Sequence, residues 1–139
     1  MSRLVHRLFT ICIALMASGF ATGCAKKTHP VEGQVVFEDG TPARELAGYG
    51  IAFHAKDVAA NANGTIQPDG SFTVGTFADG DGAPLGKHRV AITPPPPKID
   101  EPRKPPLIAK KYSSADTSEL TVDVTAQANK VTLKVERAK

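Results

Sequence analysis

The stretch VEGQVVFEDGTP, Val31 to Pro42, carries two structural signals in twelve residues. Val31, Gly33, Val35 and Phe37 fall on one side of an extended chain, and Glu32, Gln34 and Glu38 on the other. A period of two is the mark of a half-buried strand. The strand runs into EDGTP (Glu38–Pro42), whose Asp, Gly and Pro are the residues a tight turn requires. One strand with a dry face and a tight exit predicts an all-β fold wherever its neighbours repeat the pattern.

They do. Tyr49, Ile51 and Phe53 alternate with Gly50, Ala52 and His54, and Phe72, Val74 and Thr76 with Ser71, Thr73 and Gly75. His88, Val90 and Ile92 alternate with Lys87, Arg89 and Ala91. Further on, Leu120, Val122 and Val124 alternate with Thr121, Asp123 and Thr125, and Val131, Leu133 and Val135 with Thr132, Lys134 and Glu136. QPDGS (Gln67–Ser71) and ADGDG (Ala78–Gly82) supply further turns. The PDG between Ile66 and Phe72 predicts a hairpin that pairs a short strand near Gly64–Ile66 with Ser71–Phe77. AQAN (Ala126–Asn129) is expected to join the last two strands in another hairpin. ARELAG (Ala43–Gly48) has room for one helical turn.

These elements predict a single antiparallel β-sandwich of about seven strands over residues 30–139, preceded by an N-terminal signal helix. Roughly 20 inward apolar side chains, at about 1.5–3 kcal/mol each, suffice for such a core without a disulfide. One insertion interrupts the alternation. PPPPKIDEPRKPP (residues 94–106) has seven prolines in thirteen residues. Proline cannot donate to a ladder, so this segment is no central strand. Fully extended as polyproline II it would reach about 40 Å, crossing an end of the sandwich or projecting as a stiff arm.

Before the strands comes a different kind of sequence. Arg3, His6 and Arg7 precede the apolar run LFTICIALM (Leu8–Met16), and the small residues of ASGFATG follow. Basic, then apolar, then small is the order of an export signal, here residues 1–23. The uncharged stretch sits at the low edge of the length that spans a bilayer, and Ser18, Gly19, Thr22 and Gly23 suit a processing site better than a span. Net charge is +3 for the whole chain, and removal of the signal leaves 15 basic and 14 acidic residues. The basic residues are scattered and not interleaved with aromatics, which argues against nucleic acid.

The chain has two cysteines. Cys12 lies inside the apolar run and leaves with it, so Cys24 has no internal disulfide partner. His29 alone beside Cys24 is too little for a metal, and a catalytic thiol at the start of a linker lacks a supporting scaffold. Attachment remains. Ala21-Thr22-Gly23-Cys24 resembles the lipobox of bacterial lipoproteins, in which cleavage falls between Gly23 and Cys24 and the cysteine is acylated. Ala21 departs from the usual leucine of that motif, and Ala21 with Gly23 also satisfies ordinary signal cleavage. A lipidated Cys24 would open a short linker, residues 24–29. Two or more acyl chains hold stably where one does not, and Lys26 and Lys27 would sit at the headgroups. The expected location is the cell membrane or outer membrane, with the domain extracytoplasmic.

The strand and turn motifs VEGQVVFEDGTP, YGIAFHA, IQPDGSFTVGTF and GKHRVAI together resemble the carboxypeptidase regulatory-like, or transthyretin-like, β-sandwich. The Gly-x-Val strand is Gly33–Val35, the turn Asp39–Pro42, the hairpin Asp69–Phe72 and the closing strand Gly86–Val90. His88 stands where that family usually has an aromatic residue. The resemblance implies a fold and an envelope location, with no particular activity.

Chemistry is sparse. HExxH, CxxC and Gly-x-Ser-x-Gly are absent, so no catalytic, cofactor-binding or metal-binding residues are assigned and the chain is expected not to be an enzyme. His88 lies on an apolar face, where a hydrogen-bonded core histidine is the ordinary reading, and His54 lies near a strand end. Ser113, Asp116, Ser118 and Glu119 in SSADTSE read as turn formers. Asp79 and Asp81 of DGDG supply too few oxygens for a calcium loop. The function expected is a membrane-anchored envelope lipoprotein whose domain is a non-catalytic structural or protein-interaction module, with an envelope protein or glycan as partner. The alternative is a carbohydrate- or small-ligand-binding accessory module, and sugar sites generally need exposed aromatic rings. The chain has no Trp and offers only Tyr49 and Tyr112 as tyrosines.

Overall fold

The computed structural model describes residues 28–57 and 59–139. The signal peptide, the Gly23–Cys24 cleavage site and the lipidation residue Cys24 lie outside the described residues. Within them the chain is all-β. Nine strands follow in order: β1 (Thr28–His29), β2 (Val31–Phe37), β3 (Gly50–Ala55), β4 (Asn61–Thr65), β5 (Ser71–Gly75), β6 (Ala83–Pro84), β7 (Gly86–Thr93), β8 (Thr121–Val124) and β9 (Asn129–Val135). Helical structure among the described residues is confined to two 3-10 turns, Arg44–Leu46 and Lys110–Ser113. The first of these is the single turn expected in ARELAG.

Seven strands form one sheet in the order β8-β7-β3-β4-β5-β2-β9, and β1 pairs separately with β6. The sheet curls into a nearly closed, barrel-like arrangement around the core. The period-two faces point inward as the sequence predicts. Val35, Phe37, Ile51, Phe53, Phe72 and Val90 are all buried. Phe53 packs at a tilt on Phe72, with ring centroids 6.0 Å apart, and on His88 at 6.1 Å. Gly33 lies between Phe72 of β5 and Val131 of β9 in the ladder, and the Phe72 ring covers the side a Cβ would occupy.

Two strand expectations need correction. AQAN does not close a hairpin. β8 pairs antiparallel with β7, whereas β9 pairs with β2, so the last two strands occupy opposite edges of the sheet. The sheet is also not wholly antiparallel, because β2 and β9 run parallel over seven residue pairs, Val31↔Asn129 to Phe37↔Val135. Asn129 explains the crossing. Its backbone N–H and its Nδ2 both donate to the Pro30 carbonyl, at 2.9 and 3.1 Å, which seats β9 beside β2. Its Oδ1 accepts from the Thr125 N–H at 2.9 Å, and its Nδ2 donates to Gln127 O at 2.7 Å, which holds the crossing chain. Five residue steps bridge Val124 and Asn129, at most about 18 Å, so the two sheet edges are drawn together at this end. A further difference lies at the start. Thr28 and His29, read as linker, form β1 by pairing with Pro84 and Ala83, so the ordered domain reaches two residues further toward Cys24.

The turns follow their chemistry. Asp39 Oδ1 accepts from the Thr41 N–H at 2.8 Å and the Thr41 hydroxyl at 2.6 Å. Asp69 does the same with Ser71, at 2.9 and 2.6 Å. The intervening Gly40 and Gly70 take φ of 84° and 86°, a left-handed conformation that glycine adopts without a Cβ clash. The side-chain hydrogen bond from Thr41, then that from its backbone, holds the Asp39 carboxyl below its ordinary value, and Ser71 acts likewise on Asp69. Both groups are stronger acids in the fold than in the unfolded chain. Their stabilisation is therefore present above the unfolded value, about 3.9, and lost as pH falls through the folded one. Asn at each position keeps the acceptor oxygen and removes the titration. The Asp39→Asn/Asp69→Asn double variant is expected to lose less melting temperature than the native protein between about pH 4 and about pH 2. Equal acid slopes for the two proteins would refute this.

The proline-rich segment is exposed throughout residues 94–106 and joins no ladder. It is not one straight rod. The Glu101 N–H donates to Lys98 O at 3.1 Å, and Asp100 takes φ of 76°, so a tight turn interrupts it with Ile99 at the apex. Beyond it, Ala109 N–H donates to Glu136 O and Ala138 N–H to Leu107 O, which covers the C-terminal end of β9.

Candidate functional site

The ladder sorts the connections onto two ends of the fold. The starts of β2, β4, β7 and β9 lie beside the ends of β3, β5 and β8, as Val31↔Asn129, His54↔Asn61, Asn63↔Gly75 and Gly86↔Val124 record. This end carries β1, β6 and the loops that join β3 to β4, β5 to β7 and β8 to β9. The opposite end carries the Glu38–Tyr49 connection, the Gln67–Gly70 turn and the exit into the proline-rich segment. β7 runs from one end to the other over eight residues, roughly 24 Å at about 3.4 Å per step.

At the first end, the loop after β5 is tied internally. Asp81 accepts the Thr76 N–H on Oδ1 at 2.6 Å and the Phe77 N–H on Oδ2 at 3.3 Å, and the Thr76 hydroxyl donates to Gly82 O at 2.8 Å. The DGDG carboxylate thus caps a loop. No group of three or more His, Cys, Asp or Glu converges on a metal-sized site among the described residues. Gly82 backs onto the His29 carbonyl so closely that a Cβ would collide with it. This contact and the β1–β6 pairing fix the place at which the chain enters the domain.

Two open clefts mark the outer surface. The first, about 460 Å³, lies over β5, β2 and β9, between Glu32, Asp69, Thr73 and Lys130. Its polar groups are largely engaged with each other: Lys130 approaches Glu32 at 3.6 Å, and the Gln34 side chain donates to Asp69 O at 3.3 Å. The second, about 450 Å³, lies between Glu38, Tyr112, Glu119 and Lys134. Lys111, beside it, contacts Glu119 at 3.0 Å and Glu136 at 2.5 Å. These contacts, Glu136 first, hold the Lys111 ammonium above its usual pKa. The cation therefore fastens the 3-10 turn at Lys110–Ser113 to the end of β9, and the Tyr112 hydroxyl accepts the Glu136 N–H at 3.2 Å. Arg137 makes a parallel tie at the same end, with one guanidinium nitrogen 2.9 Å from both Glu45 oxygens and its Cζ 3.5 Å from the Phe37 ring centroid.

The remaining polar residues singled out in the sequence lie in strands and turns. His88 is fully buried, its Nδ1 lies 2.9 Å from Gly86 O, and Nε2 has no partner. His54 sits half-buried on β3 beside Arg89 and Asn61 in the ladder. The Ser113 hydroxyl donates to Lys110 O, and Ser118 Oγ accepts the Leu120 N–H, so these serines stabilise their own turns. Tyr112 is buried and Tyr49 half-buried against the core. What the sequence reading misses is apolar. Phe77 and Leu85 are 73% and 52% exposed. The hairpin expectation puts Phe77 at the end of a strand, but β5 ends at Gly75. The signal is the turn that follows at once, in TFADGDG. No family model, no curated protein and no solved structure matches the chain.

Proposed function

We propose that the protein is an exported lipoprotein, anchored through acylated Cys24, whose β domain is a non-catalytic structural or protein-interaction module of the bacterial envelope. In this reading the curled sheet is a β-sandwich of the transthyretin-like kind, with β2 and β9 as its one parallel pair. The observation that carries the proposal is the spacing between the candidate anchor and the fold. Cys24 lies four positions before Thr28, where β1 begins. A lipid on Cys24 would hold the domain within about 14 Å of the bilayer, and the β1–β6 pairing would set which end faces it. The hydrogen bonding of Ser113, Ser118 and Asp81 within their own turns supports a non-catalytic role. The two edge strands and the exposed proline-rich loop are the surfaces available to a partner, since an edge strand accepts an extended peptide through main-chain hydrogen bonds.

The test is a Cys24→Ser variant expressed beside the native chain. Native protein is expected in the membrane fraction with an acylated N-terminal cysteine by mass spectrometry, and the variant in the soluble extracytoplasmic fraction. Identical partitioning of the two proteins overturns the anchor. Affinity purification from membranes then identifies the envelope partner. Catalytic turnover by the pure protein, abolished by one polar substitution, overturns the non-catalytic reading.

A further inference from the structure

Phe77, Leu85 and Ile99 are the large apolar residues that stand exposed among the described residues. Their placement is uneven. Phe77 and Leu85 flank β6, the strand that receives β1, and Ile99 rides the proline-rich loop that leaves the far end of β7. Thr28 pairs with Pro84, so the first described residue of the chain lies beside the residue preceding Leu85. Phe77 belongs to the loop that Asp81 closes and that leads into Gly82, against His29. Phe77 and Leu85 therefore lie on the segments that lead into and out of β6, at the end where the chain from Cys24 joins the domain.

We propose that Phe77 and Leu85 are lipid-contacting residues that seat this end of the domain on the membrane surface. The inference rests on the lipid-anchor reading of Cys24. With the anchor four positions from Thr28, this end is held where an aromatic and a branched aliphatic side chain reach the boundary between headgroups and acyl chains. Lys26 and Lys27 lie within the same short connection and favour an anionic surface. The loop geometry suits the task. The Thr76 and Phe77 N–H groups are taken by Asp81, and the Thr76 hydroxyl by Gly82 O, so the Phe77 backbone donor is already satisfied when the ring enters lipid. The consequence is an orientation: Ile99 and the proline-rich loop stand roughly one strand length, about 24 Å, farther from the bilayer, turned toward the envelope space.

The chain has no tryptophan, so one substitution makes a single-residue reporter. Phe77→Trp, Leu85→Trp and Ile99→Trp variants of the full lipidated chain, purified from membranes, are reconstituted in phosphatidylethanolamine–phosphatidylglycerol vesicles with and without brominated acyl chains. Flotation of the vesicles measures anchoring separately. The indole emission of the Phe77→Trp and Leu85→Trp variants is expected to shift to the blue and to fall about twofold with brominated lipid, as for side chains about 5–10 Å into the interface. The Ile99→Trp variant is expected to keep its emission. Floating protein in which neither the Phe77→Trp nor the Leu85→Trp reporter is quenched overturns this inference and leaves the anchor standing. Equal quenching in all three variants overturns the end-on orientation. Protein that fails to float overturns the anchor, and the inference with it.

Discussion

A Gly33→Val variant is expected to lose about 4 kcal/mol or more, a large share of the stability of a small domain. Gly33 sits in β2 between Phe72 of β5 and Val131 of β9. A Cβ there would collide with the Val131 carbonyl oxygen and lie 2.7 Å from the Phe72 ring. The first obstacle is backbone in the parallel β2–β9 ladder, which cannot rotate away. The second is a ring packed on Phe53 in the centre of the core. Relief requires β9 to leave β2 or Phe72 to leave the core, and a loss of about 4 kcal/mol or more follows. Small domains hold only about 5–15 kcal/mol in total. Gly40→Ala is the control, since Gly40 has a left-handed backbone, φ 84°, but open space around its Cβ. Its penalty is the left-handed backbone alone, about 1–2 kcal/mol. Circular dichroism and urea unfolding of both variants decide the matter. A cooperative Gly33→Val transition as strong as that of Gly40→Ala would show that the close approach at Gly33 is not what holds the three strands together.

Phe53→Ala is expected to fold but to lose about 3–5 kcal/mol. Phe53 is wholly buried at the centre of β3, between Phe72 and the ring of His88. Its neighbours come from separate strands of a curled sheet, so the wall cannot collapse onto the vacancy without breaking ladder hydrogen bonds. For a domain of this size the melting temperature should fall by about 10–20 °C, and the urea midpoint should drop with an unchanged slope. A loss under about 1 kcal/mol would mean that the core relaxes around the cavity and that Phe53 is not its centre.

Much of the fold was legible because strand and turn signals are local. The alternation in Val31–Phe37, Phe72–Val74 and His88–Ile92 placed the buried faces correctly, and EDGTP and QPDGS revealed their turns through Asp, Gly and Pro. The pairing of β4 with β5 was legible for the same reason, since QPDGS brings the two strands together over a few residues. The partner of β9 was not. AQAN has the length of a hairpin connection, and nothing in its neighbours tells a hairpin from a crossing. The answer lay 99 positions away, in the bonds from Asn129 to Pro30 O. Nor did Thr28 and His29 read as a strand, because two residues carry no periodicity and their pairing with Ala83 and Pro84 is long-range.

The candidate surface divides in the same way. Cys24 was singled out by residue order alone, with Cys12 in the apolar run and Ala21-Thr22-Gly23 before it. Phe77 was visible as an aromatic residue and looked like the end of a strand. The early end of β5 and the Asp81-capped loop put it in solvent instead, beside the place where the chain from Cys24 enters.

By itself, the sequence determined the all-β class, the inward faces of the strands and the chemistry of the turns, because alternation and turn residues act between neighbours within a few positions. Tertiary structure alone decided that β9 runs parallel to β2, that β1 docks on β6 and that Phe77 and Leu85 share the end at which the N-terminal chain arrives. Those outcomes depend on which distant backbone groups satisfy one another when the sheet curls, and no local pattern of residues encodes that choice.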